Sequence, residues 1–314
     1  MDISIVICSY NRARNLPGCF EHLLKQVGCK GISWEIILVD NNSADDTRIV
    51  AEQYATDTPL NINYSFEGQQ GLSHARNNGI ALAKGKWLAF IDDDIRVCNV
   101  WLKTLYDVFV EHDCDAVGGR IHIESPQSLP RWISADMYGF LGHQDFGPRP
   151  HNMDGIIESP FGGNMAVHRR VFDKIGVFDT TMGRSGEGNT KEELFKGEET
   201  DFFERLANNN GSFFYHPDLL VLHKILPYQL KMKFFLTLHN NSGIMKATSD
   251  STVYKKTLLG VPLYVFPQLL RSIGKYIGRS IRKGPNNSFR LLMNVAYFSG
   301  MITSYYAINK HKEH

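Results

Sequence analysis

Four short apolar runs open the chain, each stopping at a polar residue: ISIVIC at 3–8, WEIILV at 34–39, INYSF at 62–66 and KWLAFI at 86–91. The stretches between them are long enough for helical crossovers, so the runs read as strands of a largely parallel sheet. The periodicity predicts helices over 16–26, behind Asn15 and Pro17, over 44–54, with Ser43 as N-cap, and over 72–84, closed by Gly85 as C-cap. Each crossover suits a right-handed βαβ unit. The expected fold is therefore α/β, a Rossmann-like, mostly parallel sheet with helices on both faces. Open sheets of this kind bind ligands at the carboxyl ends of their strands. That rule singles out Ser9-Tyr10-Asn11, Asp40-Asn41-Asn42 and Asp92-Asp93-Asp94.

Of these, the aspartate triplet is the sharpest signal. Adjacent carboxylates repel unless a cation sits among them, and a hard divalent ion, Mn²⁺ or Mg²⁺, takes carboxylate oxygen while bridging phosphate oxygens. A strand period of two places Asp92 and Asp94 on one side and Asp93 on the other. The competing reading is a solvated acidic turn. Asp40 either accepts hydrogen bonds from a base or ribose, or closes an Asx-turn or caps a helix. The segment GLSHARNNG at 71–79 opens a helix with glycine and small residues, which suits an anion, and Arg76 one turn in is a candidate phosphate or base contact.

In the order ISIVICSYNR, EIILVDNNSADDT, GLSHARNNGIALAKGKWLAFIDDD, GGNMAVHRRVF and GEETDFFERL, over about residues 1–223, the chain resembles the family-2 glycosyltransferases with the GT-A fold. The resemblance implies a nucleotide pocket from Ser9, Tyr10, Asn11, Asp40 and Arg76. It makes Asp92 and Asp94 the ends of an aspartate-any-aspartate motif, with Asp93 between them and Asp94 the direct metal ligand. His223, after the strand-like LLVLH, resembles the histidine that completes the metal site. The implied general base lies in Gly197-Glu198-Glu199-Thr200-Asp201. Glu199 takes the base position, but many members carry Glu-Asp where this chain has Glu198-Glu199, which keeps Glu198 and Asp201 in contention. Such a carboxylate takes the acceptor's proton as its oxygen attacks the anomeric carbon. Each residue alone also has an ordinary reading: acids at a helix N-terminus contribute about 0.3–1 kcal/mol without any catalytic role, and a lone histidine is more often structural. Phe161-Gly162-Gly163-Asn164 is expected on the acceptor and donor-sugar side. Trp132 and Tyr138 either stack on sugar rings or pack in a core.

Composition divides the chain more than it labels it. Its 314 residues are 43% hydrophobic and 21% charged, enough for a large core and an appendage. The net charge of +1 hides about −11 over residues 1–223 and +12 over 224–314, so we expect a transferase domain over 1–223 and a basic helical region over 224–314. The gly- and aromatic-rich middle, 120–196, reads as loops shaping a substrate cleft. Residues 257–283 mix aliphatic and aromatic side chains with Arg271, Lys275, Arg279, Arg282 and Lys283. They read either as a helix lying on an anionic membrane surface or as a helical cap; nucleic acid is the disfavoured partner. Residues 291–309 lack charge, yet Asn294, Ser299, Thr303 and Ser304 make them a poor membrane span. No basic leader precedes the first apolar run, which predicts a cytoplasmic protein, peripheral at most to the membrane. The five cysteines are unpaired in pattern and read as reduced, mostly buried thiols.

The activity expected from the resemblance is inverting transfer of a sugar from a nucleotide-diphosphate donor to a carbohydrate or lipid-linked acceptor, in cell-surface polysaccharide or glycolipid synthesis. A sugar-phosphate nucleotidyltransferase would share the sheet and the metal, but it normally places a Gly-rich, Arg-containing loop where this chain has CSYNR. A non-catalytic carbohydrate-binding or scaffold protein would have no reason to keep both the DDD and GEETD acids.

Overall fold

The computed structural model describes residues 1–125, 128–186 and 197–312. In chain order the elements are β1 (Ile3–Ser9), α1 (Leu16–Leu24), β2 (Trp34–Asp40), α2 (Thr47–Asp57), β3 (Ile62–Phe66), α3 (Leu72–Leu82), β4 (Trp87–Asp92), β5 (Ile95–Val97), α4 (Trp101–His112), β6 (Ala116–Glu124), β7 (His151–Met153), β8 (Met165–His168), α5 (Arg170–Ile175), α6 (Glu198–Asn208) and β9 (Phe213–Lys224). Then follow α7 (Met232–Thr248), the two-residue strands β10 (Thr257–Leu258) and β11 (Val261–Pro262), α8 (Val265–Lys283) and α9 (Phe289–Lys312). Two compact units result, residues 1–124 with 142–225, and residues 125–141 with 226–314. The second unit thus takes in residues 125–141, which the charge-based division at 223/224 assigns to the first.

The first unit is a mixed α/β sheet in the order β3-β2-β1-β4-β8-β6-β9-β5, with β7 added on β9. Strands β3, β2, β1 and β4 are parallel, β8 runs antiparallel to β4 and β6, and β6 and β9 are again parallel. β1, β2 and β4 are mostly apolar runs because the sheet is covered on both faces there, which leaves no solvent side for polar residues to occupy, whereas the edge strand β3 has no buried residue and carries Asn63 and Ser65. One face packs Leu16, Phe20 and Leu23 of α1 and Trp101, Leu102 and Leu105 of α4. The other packs Ala75 and Ile80 of α3, Val171 of α5, and Phe202, Phe203 and Leu206 of α6. Each fully buried large side chain stabilises the fold by about 1.5–3 kcal/mol. The chain winds from β1 outward to β3 and then crosses to β4 on the other side of β1, so the switch point lies between the carboxyl ends of β1 and β4.

Two predicted caps take other roles. Helix α2 begins at Thr47 rather than 44, because Asp45 Oδ1 accepts from Thr47 N at 3.1 Å and from its hydroxyl at 2.5 Å. Ser43 instead straps two strand ends, donating its N–H to Asp40 Oδ1 (2.9 Å) and accepting from Asn11 N (2.9 Å). Helix α3 ends at Leu82, and Gly85 N–H donates to Ser4 Oγ at 2.8 Å, tying the chain to β1. The middle of the chain is also more regular than a set of loops, since β6 runs to Glu124 and β8 and α5 span 165–175; residues 126–127 and 187–196 of that stretch lie outside the described residues.

In the second unit, Ala247, Val261, Val265, Met301 and Tyr305 form a small core between α7, β11, α8 and α9. Trp132 stands edge-on to Phe235 and Phe289, with centroids at 5.2 and 4.7 Å, so it packs in a core. Among the described residues no helix is long and apolar enough to cross a membrane. All five cysteines are free; Cys19 and Cys114 are buried, while Cys8, Cys29 and Cys98 are only half-buried, short of the mostly buried set expected.

Candidate active site

The parallel register brings the singled-out residues to one rim: Ser9 lies beside Asp40, and Cys8 beside Asp92. β4 ends at Asp92, and Asp93-Asp94 form the tight turn into β5. Strand periodicity therefore does not extend over the triplet, and each aspartate meets a different environment. Asp93 is buried and points back under the β1 loop, accepting from Ser9 Oγ at 2.8 Å and Asn15 Nδ2 at 3.3 Å. Arg12 bridges it to its neighbour, with Nη1 3.5 Å from Asp93 Oδ1 and 3.1 Å from Asp94 Oδ2. Asp94 Oδ1 faces His223 Nε2 at 3.4 Å and takes no well-aligned hydrogen bond although it is buried. The half-buried Asp92 lies beside the Gly162-Gly163 turn, where a Cβ on Gly163 would stand 3.5 Å from Asp92 Oδ2.

Charge follows these environments. Burial, against the pull of Arg12, pushes the Asp93 carboxyl up to about 6. Burial and then repulsion from Asp94 raise Asp92. Burial acts the same way on Asp94, but His223 and Arg12 outweigh it and hold that carboxyl well below the usual range. Ionised Asp94 is thus the fixed negative charge of the cluster.

The second group of acids is organised by Arg76. Its buried guanidinium donates through Nη1 to Glu198 Oε1 at 3.1 Å and through Nη2 to Glu199 Oε1 at 2.8 Å, and stacks over Phe178 at 5.3 Å. The sequence points Arg76 at a phosphate or base; the structure directs it at the start of α6. Burial acts to lower its pKa, but Glu199 and Glu198 raise it further, so the charge is permanent. Glu198 is buried and also accepts from Gly197 N at 3.1 Å, whereas the Glu199 side chain is 33% exposed. Asp201 pairs with Arg205 of its own helix at 2.8 Å. Of the three candidate bases, only Glu199 combines solvent access with a place beside the aspartate rim: a Cβ on Gly162 would collide with it, and a Cβ on Gly163 would come into contact with Asp92. A Cβ on Gly162 would lie 1.8 Å from Glu199 Oε1 and 2.3 Å from Arg76 Nη2.

The remaining residues shape the rim. Asp40 closes an Asx-type turn with Ser43 and accepts from Tyr64 Oη at 2.8 Å. Asn11 adopts φ 52° and accepts from Ala44 N at 2.8 Å, which stitches the β1 loop to the β2 loop; Tyr10 is half-buried in the same loop. Sequence reasoning gives no site role to Arg12, Asn15 or Arg96, and it places Asn164 only in the turn on the acceptor and donor-sugar side. Arg96 donates to the carbonyls of Asp93 (3.3 Å), Ile95 (2.8 Å) and Asn15 (3.1 Å), fixing the turn from below. Asn164 receives Trp101 Nε1 at 2.9 Å and donates to Leu219 O at 2.7 Å, which anchors the glycine turn to β9. For the first three the one available signal was adjacency, since Arg12 and Asn15 follow the SYN segment and Arg96 follows DDD.

Comparison with known proteins bears on the fold and the family. A sequence model described as "Glycosyl transferase family 2" matches residues 4–176. The chain is 26% identical over 288 residues to a glucosyl-dolichyl phosphate glucuronosyltransferase of Haloferax volcanii, covering 86% of each chain. It is 26% identical over 229 residues to the succinoglycan biosynthesis protein ExoM of Rhizobium meliloti, covering 72% of this chain and 68% of the other. Among solved structures, the mannosyltransferase PcManGT of Pyrobaculum calidifontis, in complex with GDP-Man and Mn²⁺, superposes with a TM-score of 0.62 at 15% identity, over 96% of this chain and 86% of that one. S. aureus TarS 1–349 in complex with UDP-GlcNAc gives 0.57 at 14% identity, over 96% and 92%. The structural likeness carries the GT-A fold, and the family model, matching more than half of the residues, carries the rest: this chain belongs to glycosyl transferase family 2.

Proposed function

We propose that this glycosyltransferase moves a sugar, with inversion, from a nucleoside diphosphate to a hydroxyl of a lipid-linked or polysaccharide acceptor at the cytoplasmic face of a membrane. The observation that supports this most is the Gly162-Gly163 turn, where an added Cβ would collide with Glu199 at the first glycine and reach Asp92 at the second. It sets a partly exposed carboxylate beside an aspartate cluster whose Asp94 stays ionised. Relatives named for glucosyl-dolichyl phosphate and for succinoglycan support the acceptor class.

The residues present fit a divalent cation, Mn²⁺ or Mg²⁺. Asp94 Oδ1 is a buried anionic oxygen without a well-aligned hydrogen bond, and the His223 nitrogen faces it. Among the described residues no three His, Cys, Asp or Glu side chains form a closed metal cage. Ions of this kind are commonly held by one or two protein ligands with substrate phosphates completing the shell, so Asp94 and His223 suffice as protein donors. When bound, the cation stabilises charge developing on the departing diphosphate.

This chain's own residues do the rest. Ser9, Asn15 and Arg12 hold Asp93 inward and leave the rim open, where Ser9, Tyr10, Asn11 and Asp40 would border the nucleotide. Arg76 binds one oxygen of Glu199 and so orients the other for the acceptor hydroxyl. As the hydroxyl oxygen bonds to the anomeric carbon, its proton passes to Glu199, and the carbon–oxygen bond to the diphosphate breaks with the electron pair leaving on phosphate. A single displacement inverts the anomeric centre.

Thermal-shift titration with a panel of nucleoside diphosphates and Mn²⁺ identifies the donor, because ligand at 100 times Kd stabilises the fold by about 2.7 kcal/mol. Proton NMR of the product then tests the mechanism: an α-linked donor yields a β-linked product. A product that retains the donor's configuration defeats the proposal of inversion. The glycine turn gives a second test. Gly162→Ala displaces the Arg76–Glu199 pair and lowers kcat by about 10²-fold, the scale of a 1 Å misplacement. Steady-state kinetics decide it, and parent-like kcat would show that the pair need not sit against Gly162.

A further inference from the structure

The second unit carries a surface that the transfer chemistry does not use. Helix α8 is nineteen residues long, yet only Val265 on it is buried. At its contact with α9, Phe266 packs against the small core that includes Met301 and Tyr305. Away from that contact, Leu270, Ile277 and Ile281 are 68%, 50% and 80% exposed. At 100° per residue, these positions, i, i+7 and i+11, fall on one line along the helix. Arg271, Lys275 and Arg282 form a parallel line roughly 100° around the helix, with Arg279 beyond it, and all four are exposed. The β10–β11 hairpin repeats the pairing, with Leu258 and Leu259 exposed at its tip beside exposed Lys255 and Lys256.

Charge identifies the occupant. Between Asp250 and Glu313 the sequence has ten Lys or Arg residues and no Asp or Glu. A row of exposed aliphatic side chains beside a row of cations, with no acid on the helix or the hairpin, complements a surface with an apolar interior and an anionic face. A second copy docked through the same face would bring the same cations against it, where like charges repel. No described helix can cross the bilayer, so contact is in plane.

We propose that α8 and the β10–β11 tip dock the protein onto the leaflet of an anionic phospholipid bilayer. Leu258, Leu259, Leu270, Ile277 and Ile281 enter the acyl boundary, and Arg271, Lys275, Arg279 and Arg282 lie at the headgroups. The inference deepens the proposed action on a membrane-linked acceptor, and its test reads lipid binding alone, so it stands or falls apart from the transfer mechanism.

The full chain is sedimented with phosphatidylglycerol–phosphatidylcholine vesicles and with pure phosphatidylcholine vesicles, at about 0.05 M and about 0.5 M salt. Binding is expected to the anionic vesicles at low salt, with most of it lost at high salt. Changing Arg271, Lys275, Arg279 and Arg282 together to Glu lowers partitioning by at least about 100-fold. Changing Leu270, Ile277 and Ile281 together to Ser weakens it while leaving the melting temperature and donor hydrolysis as in the parent. Equal binding to neutral vesicles, or unchanged binding by the four-Glu variant, overturns the proposal. So does absence of lipid binding together with a concentration-dependent dimer that the triple Ser variant abolishes, which would make the stripe a contact between copies.

Discussion

Replacing Glu199 by Gln is expected to lower turnover by about 10²–10⁴ while donor affinity stays close to the parent's. Gln keeps the length of the side chain and a carbonyl oxygen for Arg76, so the contact at 2.8 Å can persist. What disappears is the basic oxygen proposed to take the acceptor's proton. The neighbours serve as internal controls because their settings differ. Glu198→Gln removes one of the two charges facing a buried guanidinium, and breaking a buried pair costs about 3–5 kcal/mol, so this variant should lose thermal stability. Asp201→Asn breaks only a partly exposed pair with Arg205, worth about 0.3–0.5 kcal/mol as an i,i+4 contact, and should turn over like the parent. Single-turnover kinetics with saturating donor separate chemistry from binding. A Glu199→Gln enzyme as fast as the parent, with Asp201→Asn or Glu198→Gln inactive yet folded, would move the base to that other residue.

Strands β1, β2 and β4 were legible because burial on both faces leaves a mostly apolar run with a sharp polar end, and the edge strand β3 because Ile62, Tyr64 and Phe66 alternate with polar residues. Observed strand limits fall within one residue of the runs. The strands that follow hide for a physical reason. β6 begins Ala-Val-Gly-Gly, and its glycines are required by close approach: a Cβ on Gly119 would stand 2.1 Å from Leu219 O. A strand whose packing demands glycine reads as a loop from sequence. Helix caps failed at Ser43 and Gly85 because distant strands compete for the same polar atoms, Asn11 and Asp40 for the first and Ser4 for the second.

The site shows the same division. That carboxylates gather at the end of β4 was visible locally; their distinct settings were not, since Arg12 arrives from more than 80 residues away and His223 from a neighbour of β5. Arg76 was recognisable as a cation one turn into a helix. Its partners come from 122 and 123 residues further on, and a buried guanidinium with two carboxylates in reach satisfies them before any ligand arrives. Asp40 took the local option, an Asx-type turn with Ser43, and Tyr64 occupies its second oxygen.

Replacing Asp94 by Ala is expected to abolish the gain in nucleotide affinity that Mn²⁺ or Mg²⁺ confers, and to lower transfer by about 10²–10⁴, the range corresponding to several kcal/mol of charge stabilisation. Asp94 is the aspartate held ionised most firmly, and its Oδ1 lacks a well-aligned hydrogen bond despite burial. Asp93 offers no such oxygen: Ser9 engages Oδ2, and Asn15 and Arg12 engage Oδ1. Asp93→Asn should therefore perturb the β1 loop and thermal stability more than metal dependence. Metal-independent binding of nucleoside diphosphate should persist even as the metal-dependent part is lost. Calorimetry with nucleoside diphosphate in the presence of Mn²⁺ and of a chelator separates the two components. If Asp94→Ala binds the nucleotide with the parent's affinity and the parent's dependence on Mn²⁺, Asp94 and His223 do not hold the cation, and the metal assignment fails.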